Sequence, residues 1–200
     1  VPQNMRSTMS KIHWRWLLPT LSGLLLALAA HGAAWAQKVR LDTSMGEIII
    51  QLDAAKAPKS VANFLDYVKA GHYDGTIFHR VIPNFMIQGG GFDTDLKQKP
   101  TRAPIPLESK NGLNNVRGSV AMARTNVPDS ATAQFFINLK DNAFLDSANT
   151  PDGTGYTVFG KVVSGMDVVD KIWAVPTGTK GPYQNVPVTP VMIRKASVEN

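Results

Sequence analysis

Residues 78–90 read Phe78-His79-Arg80-Val81-Ile82-Pro83-Asn84-Phe85-Met86-Ile87-Gln88-Gly89-Gly90. Aromatic and β-branched residues, which suit a pleated surface, lie on both sides of Pro83-Asn84, a pair that interrupts regular structure. Two short strands are expected there, Thr76–Ile82 and Phe85–Gly90. The glycines that close the stretch, Gly89-Gly90-Gly91, lack the Lys-Ser/Thr of a phosphate loop and follow a strand without opening a helix. They read instead as a bulge or a close approach of backbone to another group.

The segments on either side have the same character. Val39–Thr43 and Glu47–Asp53 read as strands joined by a tight turn at Ser44-Met45-Gly46. Further strands are expected at Gly118–Ala123, Gln134–Asn138, Tyr156–Val163 and Val191–Val198. Pro58 can begin a helix, since its missing N–H would have no partner there. Val61, Phe64, Leu65 and Val68 follow at helical spacing, and Gly71 ends the run. A second helix is expected after Ser164 as its cap, with Val168, Ile172 and Val175 on one face and Pro176 as its stop. Two helices and about eight short strands, most without crossover-length connections, argue against a doubly wound sheet. The expected class is mainly β: an antiparallel sheet closed into a barrel, its ends plugged by the helices. The long stretch from Phe92 to Val116 is expected to pack on this domain, because loops of that length are seldom mere linkers.

Composition removes many kinds of chemistry. The chain has 200 residues, 44% of them hydrophobic, and no cysteine, which excludes disulfides, thiol nucleophiles and Cys-based zinc sites. Mean hydropathy is close to zero, unlike that of a protein with many membrane spans. The formal charge of +6 is uneven: Arg6, Lys11 and Arg15 stand in residues 1–36 without an acid, leaving 18 bases against 15 acids beyond them. That excess is too small to suggest nucleic acid as a partner. Beyond residue 36 only His72 and His79 remain, with no zinc-binding spacing and no G-x-S-x-G nucleophile elbow. Lys97, Lys99 and Arg102 read as a solvated loop. An enzyme of this composition would need neither nucleophile, metal nor phosphate site.

Residues 9–36 read as a secretory leader. Lys11 and Arg15 form its basic start, Leu17 to Ala30 its apolar run of 14, and Ala34-Trp35-Ala36 its cleavage site. The run is shorter than the roughly 20 residues a membrane span needs. Removal would make Gln37 the first mature residue, so that residues 37–200 form one exported domain with no stable membrane anchor.

The stretch at 78–90, with Gly118-Ser119-Val120-Ala121-Met122-Ala123, Gln134-Phe135-Phe136-Ile137 and Tyr156-Thr157-Val158-Phe159-Gly160-Lys161-Val162, resembles the cyclophilin family of peptidyl-prolyl cis/trans isomerases. The resemblance covers nearly all of residues 38–198 and is greatest to the periplasmic cyclophilins of Gram-negative bacteria. It implies a closed eight-stranded antiparallel barrel capped by two helices, and a monomer that acts without cofactor in the periplasm on proline-containing segments of exported polypeptides. By similarity Arg80 is the catalytic residue, and Phe85, Met86, Phe136 and Leu145 form the proline pocket. Gln88 and Gln134 resemble the glutamines that hold substrate and orient the arginine, and Ala123 lines the peptide groove. Arg124 stands where many relatives carry asparagine, at a contact the family makes through backbone. Tyr156 replaces a histidine common in eukaryotic members. Phe144 replaces a tryptophan whose ring N–H helps bind cyclosporin, so weak cyclosporin binding is expected.

Strand parity gives an independent indication. Gln134 and Phe136 share one face of their strand, and Phe135 and Ile137 the other. The second pair suits the core, which leaves a phenylalanine beside a glutamine as an exposed patch suited to binding. His79 neighbours Arg80 but should point away from it and act as a satisfied structural histidine. The rival reading is a proline-peptide-binding chaperone module with negligible turnover. Arg80 argues against it, since holding proline needs aromatic walls more than a cation. A structural protein acting through another surface has no feature in its favour.

Overall fold

A computed structural model describes residues 37–199; the leader reading falls on residues outside these. The chain forms β1 (Lys38–Thr43), β2 (Gly46–Leu52), α1 (Pro58–Lys69), β3 (Thr76–Ile77), β4 (Arg80–Ile82), β5 (Met86–Gly89), β6 (Ser119–Met122) and β7 (Phe135–Asn138). A 3₁₀ turn at Ala143–Leu145 follows, then β8 (Val158–Ser164), α2 (Met166–Trp173), β9 (Thr177–Lys180), β10 (Tyr183–Pro187) and β11 (Met192–Glu199). β1 alternates exposed and buried residues along its whole length, and the hairpin to β2 turns at Ser44-Met45 as expected, with the Thr43 hydroxyl donating to the Gly46 carbonyl at 2.6 Å.

Nine strands form one antiparallel sheet in the order β3-β11-β1-β2-β8-β6-β7-β5-β4. The expectation of a closed eight-stranded barrel is corrected here: the sheet is strongly curled but its ladder is open, with β3 and β4 as edges. The reason lies in Phe78 and His79. The expected single strand Thr76–Ile82 breaks at this buried pair, which leaves the ladder to bond elsewhere: the Phe78 N–H donates to the Val191 carbonyl, and that of Ile77 to Phe92. The two edge strands are therefore joined by the chain and not by a row of hydrogen bonds.

The main core fills the inside of the curl. Phe64 on α1 meets the rings of Tyr73, Phe135 and Phe159 at 5.1, 5.5 and 5.1 Å. Burial of these rings and of the β-branched residues beside them supplies the main driving force for folding. The N-terminus of α1 has no cap of its own; the Glu108 carboxylate accepts from the backbone N–H groups of Lys59 and Ser60 at 3.0 and 2.8 Å and from the Ser60 hydroxyl at 2.7 Å. An anion at this end of a helix satisfies free donors and complements the dipole. It also ties the stretch from Phe92 to Val116 onto the domain.

α2 departs from expectation at its start. Ser164 ends β8, and the cap is Gly165 in the left-handed region, φ 88°. Val168, Val169 and Ile172 are buried. β9 and β10, absent from the sequence reading, pair as a separate hairpin in which Pro187 lies opposite Thr177. A two-stranded ribbon tolerates such a proline, which a central strand would not.

Candidate active site

Four adjacent strands build the site. Val81, Ile87, Val120, Met122, Phe135 and Ile137 point into the main core, so strand alternation sends Arg80, Ile82, Met86, Gln88, Ala121 and Phe136 to the opposite face. Arg80 lies opposite Gln88, Gln88 opposite Phe136, and Phe136 opposite Ala121, forming one cross-strand row. Three interstrand steps of about 4.8 Å give that row a span of about 14 Å. Met86, Ala121, Phe136, Leu145 and Val158 form a second apolar cluster, separate from the main core, with Phe85, Ala123 and Tyr156 packed against it.

This face carries a groove of about 490 Å³. Every site residue expected from sequence lines it except Gln134, which sits behind Gln88. Phe136 is only 5% exposed, so it forms the floor of a pocket and not the exposed patch that parity alone suggested. The Tyr156 ring meets its edge at 5.7 Å, and the Arg124 guanidinium lies 4.7 Å above Tyr156. On the other wall Phe85 and Phe144 stack at 5.6 Å, with Phe144 57% exposed at the rim.

A relay of side chains holds the arginine. Arg80 Nη1 donates to Gln88 Oε1 at 3.3 Å, and Gln88 Nε2 donates to Gln134 Oε1 at 2.8 Å. Gly91 makes room for this relay: a Cβ there would stand 2.5 Å from Gln134 Cγ and 2.6 Å from its Cδ. The glycine triplet is thus a close approach, as expected: a Cβ at Gly89 would stand 2.9 Å from the Phe78 ring and one at Gly90 2.7 Å from the Tyr73 ring. Gly91→Ala is expected to displace Gln134 and lower kcat/KM for proline peptides about three- to tenfold, a range typical of one lost positioning hydrogen bond. In a Gln134→Ala background the same change should cost little further, and a full additional loss there would show that Gly91 acts by another route.

One position was not anticipated from sequence. Asn142, fully buried before the 3₁₀ turn, donates through Nδ2 to the Phe85 carbonyl at 2.9 Å and to Asn138 Oδ1 at 2.8 Å. It fastens the turn carrying Phe144 and Leu145 to the segment carrying Phe85. An asparagine ahead of a turn was a visible signal, but the partner that matters to the groove, the Phe85 carbonyl, is 57 residues away in sequence. His79 is buried and turned from the groove, its ring 4.6 Å from that of Phe92. Its Nδ1 has no hydrogen-bond partner among the described residues, which corrects the expectation of a fully satisfied histidine. Burial, and secondarily the Arg80 charge, lowers its pKa to about 4 against a weaker opposing effect of the Ile77 backbone, so it is neutral at neutral pH.

The curled sheet with an apolar pocket and a held arginine on its outer face defines a cyclophilin-type protein. Residues 38–198 match the family described as cyclophilin type peptidyl-prolyl cis-trans isomerase/CLD, and the chain belongs to that family. It is 61% identical over 161 residues to a peptidyl-prolyl cis-trans isomerase of Streptomyces antibioticus, covering 80% of this chain and 97% of that one. It is 55% identical over 179 residues to peptidyl-prolyl cis-trans isomerase A of Dickeya dadantii, covering 90% and 93%. A crystal structure of a Cryptosporidium parvum cyclophilin determined with the dipeptide ala-pro is similar in fold, with a TM-score of 0.67, 25% identity, and coverage of 82% of this chain and 99% of that one. The protein is a peptidyl-prolyl cis/trans isomerase.

Proposed function

We propose that the groove binds proline-containing segments of exported polypeptides in the periplasm, and that Arg80 accelerates rotation of the X–Pro bond. Rotation is slow because it must break amide resonance, a barrier of roughly 20 kcal/mol. The twisted amide has a nitrogen lone pair that the planar amide lacks. A hydrogen-bond donor with fixed charge, placed beside that nitrogen, stabilises the twisted state more than either planar one. The reaction makes and breaks no covalent bond, so it needs no nucleophile and no cofactor. What carries this reading is the position of Arg80: it sits at the rim of an apolar pocket, held through Gln88 and Gln134. The Arg124 N–H and C=O have no hydrogen-bond partner among the described residues, which suits pairing with an extended peptide. The periplasmic setting rests on the leader-like composition of residues 9–36.

A protease-coupled isomerisation assay with a proline peptide tests the assignment to the groove. The proposal expects turnover that a second, groove-filling proline peptide inhibits competitively. Binding of the peptide without acceleration would favour the chaperone reading instead.

The same proposal expects weak inhibition by cyclosporin, because Phe144 brings no ring N–H to the rim. Phe144→Trp restores a donor that contributes about 0.5–1.5 kcal/mol, plus aromatic area. Inhibition should therefore tighten by around tenfold, the factor that about 1.4 kcal/mol represents. Turnover of small peptides should stay within a few-fold. Inhibition titrations of both proteins decide the matter, and unchanged affinity in Phe144→Trp would remove the rim assignment.

A further inference from the structure

The groove is charged on one side of the ledger only. Arg40, Arg102 and Arg117 each have a carboxylate oxygen at 2.6–2.8 Å, so three of the six described arginines are paired. Arg80 and Arg124 have none within 4 Å among the described residues, and both line the groove, where no aspartate or glutamate joins them. They stand at different places around its floor. Arg80 is on β4, whereas Arg124 follows the far end of β6 and reaches the pocket through Tyr156, whose ring abuts Phe136.

Arg124 is also fixed. Its Nε donates to the Gly155 carbonyl at 2.9 Å, Nη1 to the Thr125 carbonyl at 2.9 Å and Nη2 to the Thr154 hydroxyl at 2.8 Å. Three of its five N–H donors are engaged by neutral acceptors, and two remain. The carboxylate that this network reaches is Asp152, which accepts from the Thr154 hydroxyl at 2.7 Å. Asp152 lines the neighbouring cleft with Lys56 and Lys110 and is absent from the groove. A held guanidinium with free donors and no carboxylate recognises an anion at little cost in side-chain ordering.

We infer that the groove selects proline segments with an acidic side chain next to the proline, and that Arg124 makes this selection. The inference rests on the groove being the substrate site and adds a substrate class to it. The test uses peptides carrying Glu, Gln or Lys immediately before or immediately after proline, with isomerisation followed by NMR exchange, which requires no coupling protease. At low salt, kcat/KM for the Glu peptide should exceed that for the Lys peptide by at least about fivefold at one of the two positions, and by less than about twofold at 1 M salt, where screening acts within about 3 Å. Arg124→Gln should reduce the low-salt Glu/Lys ratio at least about threefold, while Arg124→Lys, which keeps the charge, should retain most of it. Each ratio is internal to one protein, so a general loss of activity in a variant does not disguise the result. Equal rates for Glu and Lys peptides in the wild type, or an unchanged ratio in Arg124→Gln, would overturn the inference while leaving the groove reading in place. Failure of a groove-filling proline peptide to compete with the Gln substrate would instead remove the groove reading beneath it.

Discussion

Arg80→Ala is expected to lower kcat/KM for a proline peptide by at least about tenfold, or about 1.4 kcal/mol of transition-state stabilisation, with almost no change in thermal stability. The two halves of this expectation come from different parts of the structure. Arg80 is exposed, and the one side-chain hydrogen bond it makes among the described residues is the 3.3 Å bond to Gln88. Loss of an exposed side chain with so few contacts ordinarily shifts stability by no more than about 0.5 kcal/mol. On the proposed mechanism its position at the groove rim gives it leverage on the reaction, through a charge that would act where the apolar floor displaces water. Arg80→Lys separates charge from direction: it keeps the cation but loses the planar fork, and should recover part of the lost rate. His79 does not interfere, because with a pKa held near 4 it carries no charge at the pH of the assay. Activity should therefore show no inflection near the ordinary histidine value of about 6.5. A folded Arg80→Ala protein that retains wild-type kcat/KM would remove the arginine mechanism, though not the family assignment.

The sequence was informative wherever neighbouring residues decide structure. Alternation along residues 134–137 separated Phe135 and Ile137, which enter the main core, from Phe136, which enters the second apolar cluster. The helical spacing from Pro58 to Val68 located α1, and most groove residues were legible because they lie in or beside short, distinctive segments, Phe144 and Leu145 being the exceptions. What stayed hidden depends on contacts across the fold. Nothing local marks Phe78-His79 as a break, since it shows only in long-range contacts: the Phe78 bond to Val191 and the pairing of β3 with β11. Glu108 caps a helix 48 residues away in sequence, and no cap motif near Pro58 announces it. The β9–β10 hairpin is rich in Gly, Pro and Asn, including Asn185 with φ of 59°, and so reads as loop until pairing is seen. Ser164 was a reasonable cap by residue type, but the sharp turn from β8 into α2 requires φ above zero at the next residue. Only glycine adopts that conformation without strain.

That corner supports the largest stability effect expected in the molecule. At Gly165 an added Cβ would lie 2.2 Å from the Glu47 carbonyl oxygen and 2.9 Å from Ile48 Cα, both backbone atoms of β2. Gln134 beside Gly91 can swing aside, but a strand paired on both edges cannot, and β2 is bonded to β1 and β8. The left-handed conformation adds a second penalty of roughly 1–2 kcal/mol for any residue with a Cβ. The Gly165 carbonyl also accepts from the N–H groups of Val168 and Val169, so a shift at this point would disturb the first turn of α2. Gly165→Ala should destabilise the protein by about 3 kcal/mol or more, lowering the melting midpoint by about 6–12 °C for a domain of this size. Gly75→Ala is the matched control, because Gly75 has φ of 77° with nothing within 4 Å of the added Cβ. It should show the conformational penalty alone, and the difference between the two variants then measures the collision with β2. Below its transition, Gly165→Ala should keep isomerase activity within about twofold, since the groove is built on β4 to β7 and the strain falls on β2 and α2. Equal midpoints for the two alanine variants would show that β2 yields at Glu47, and that the close approach at this corner is not what specifies glycine.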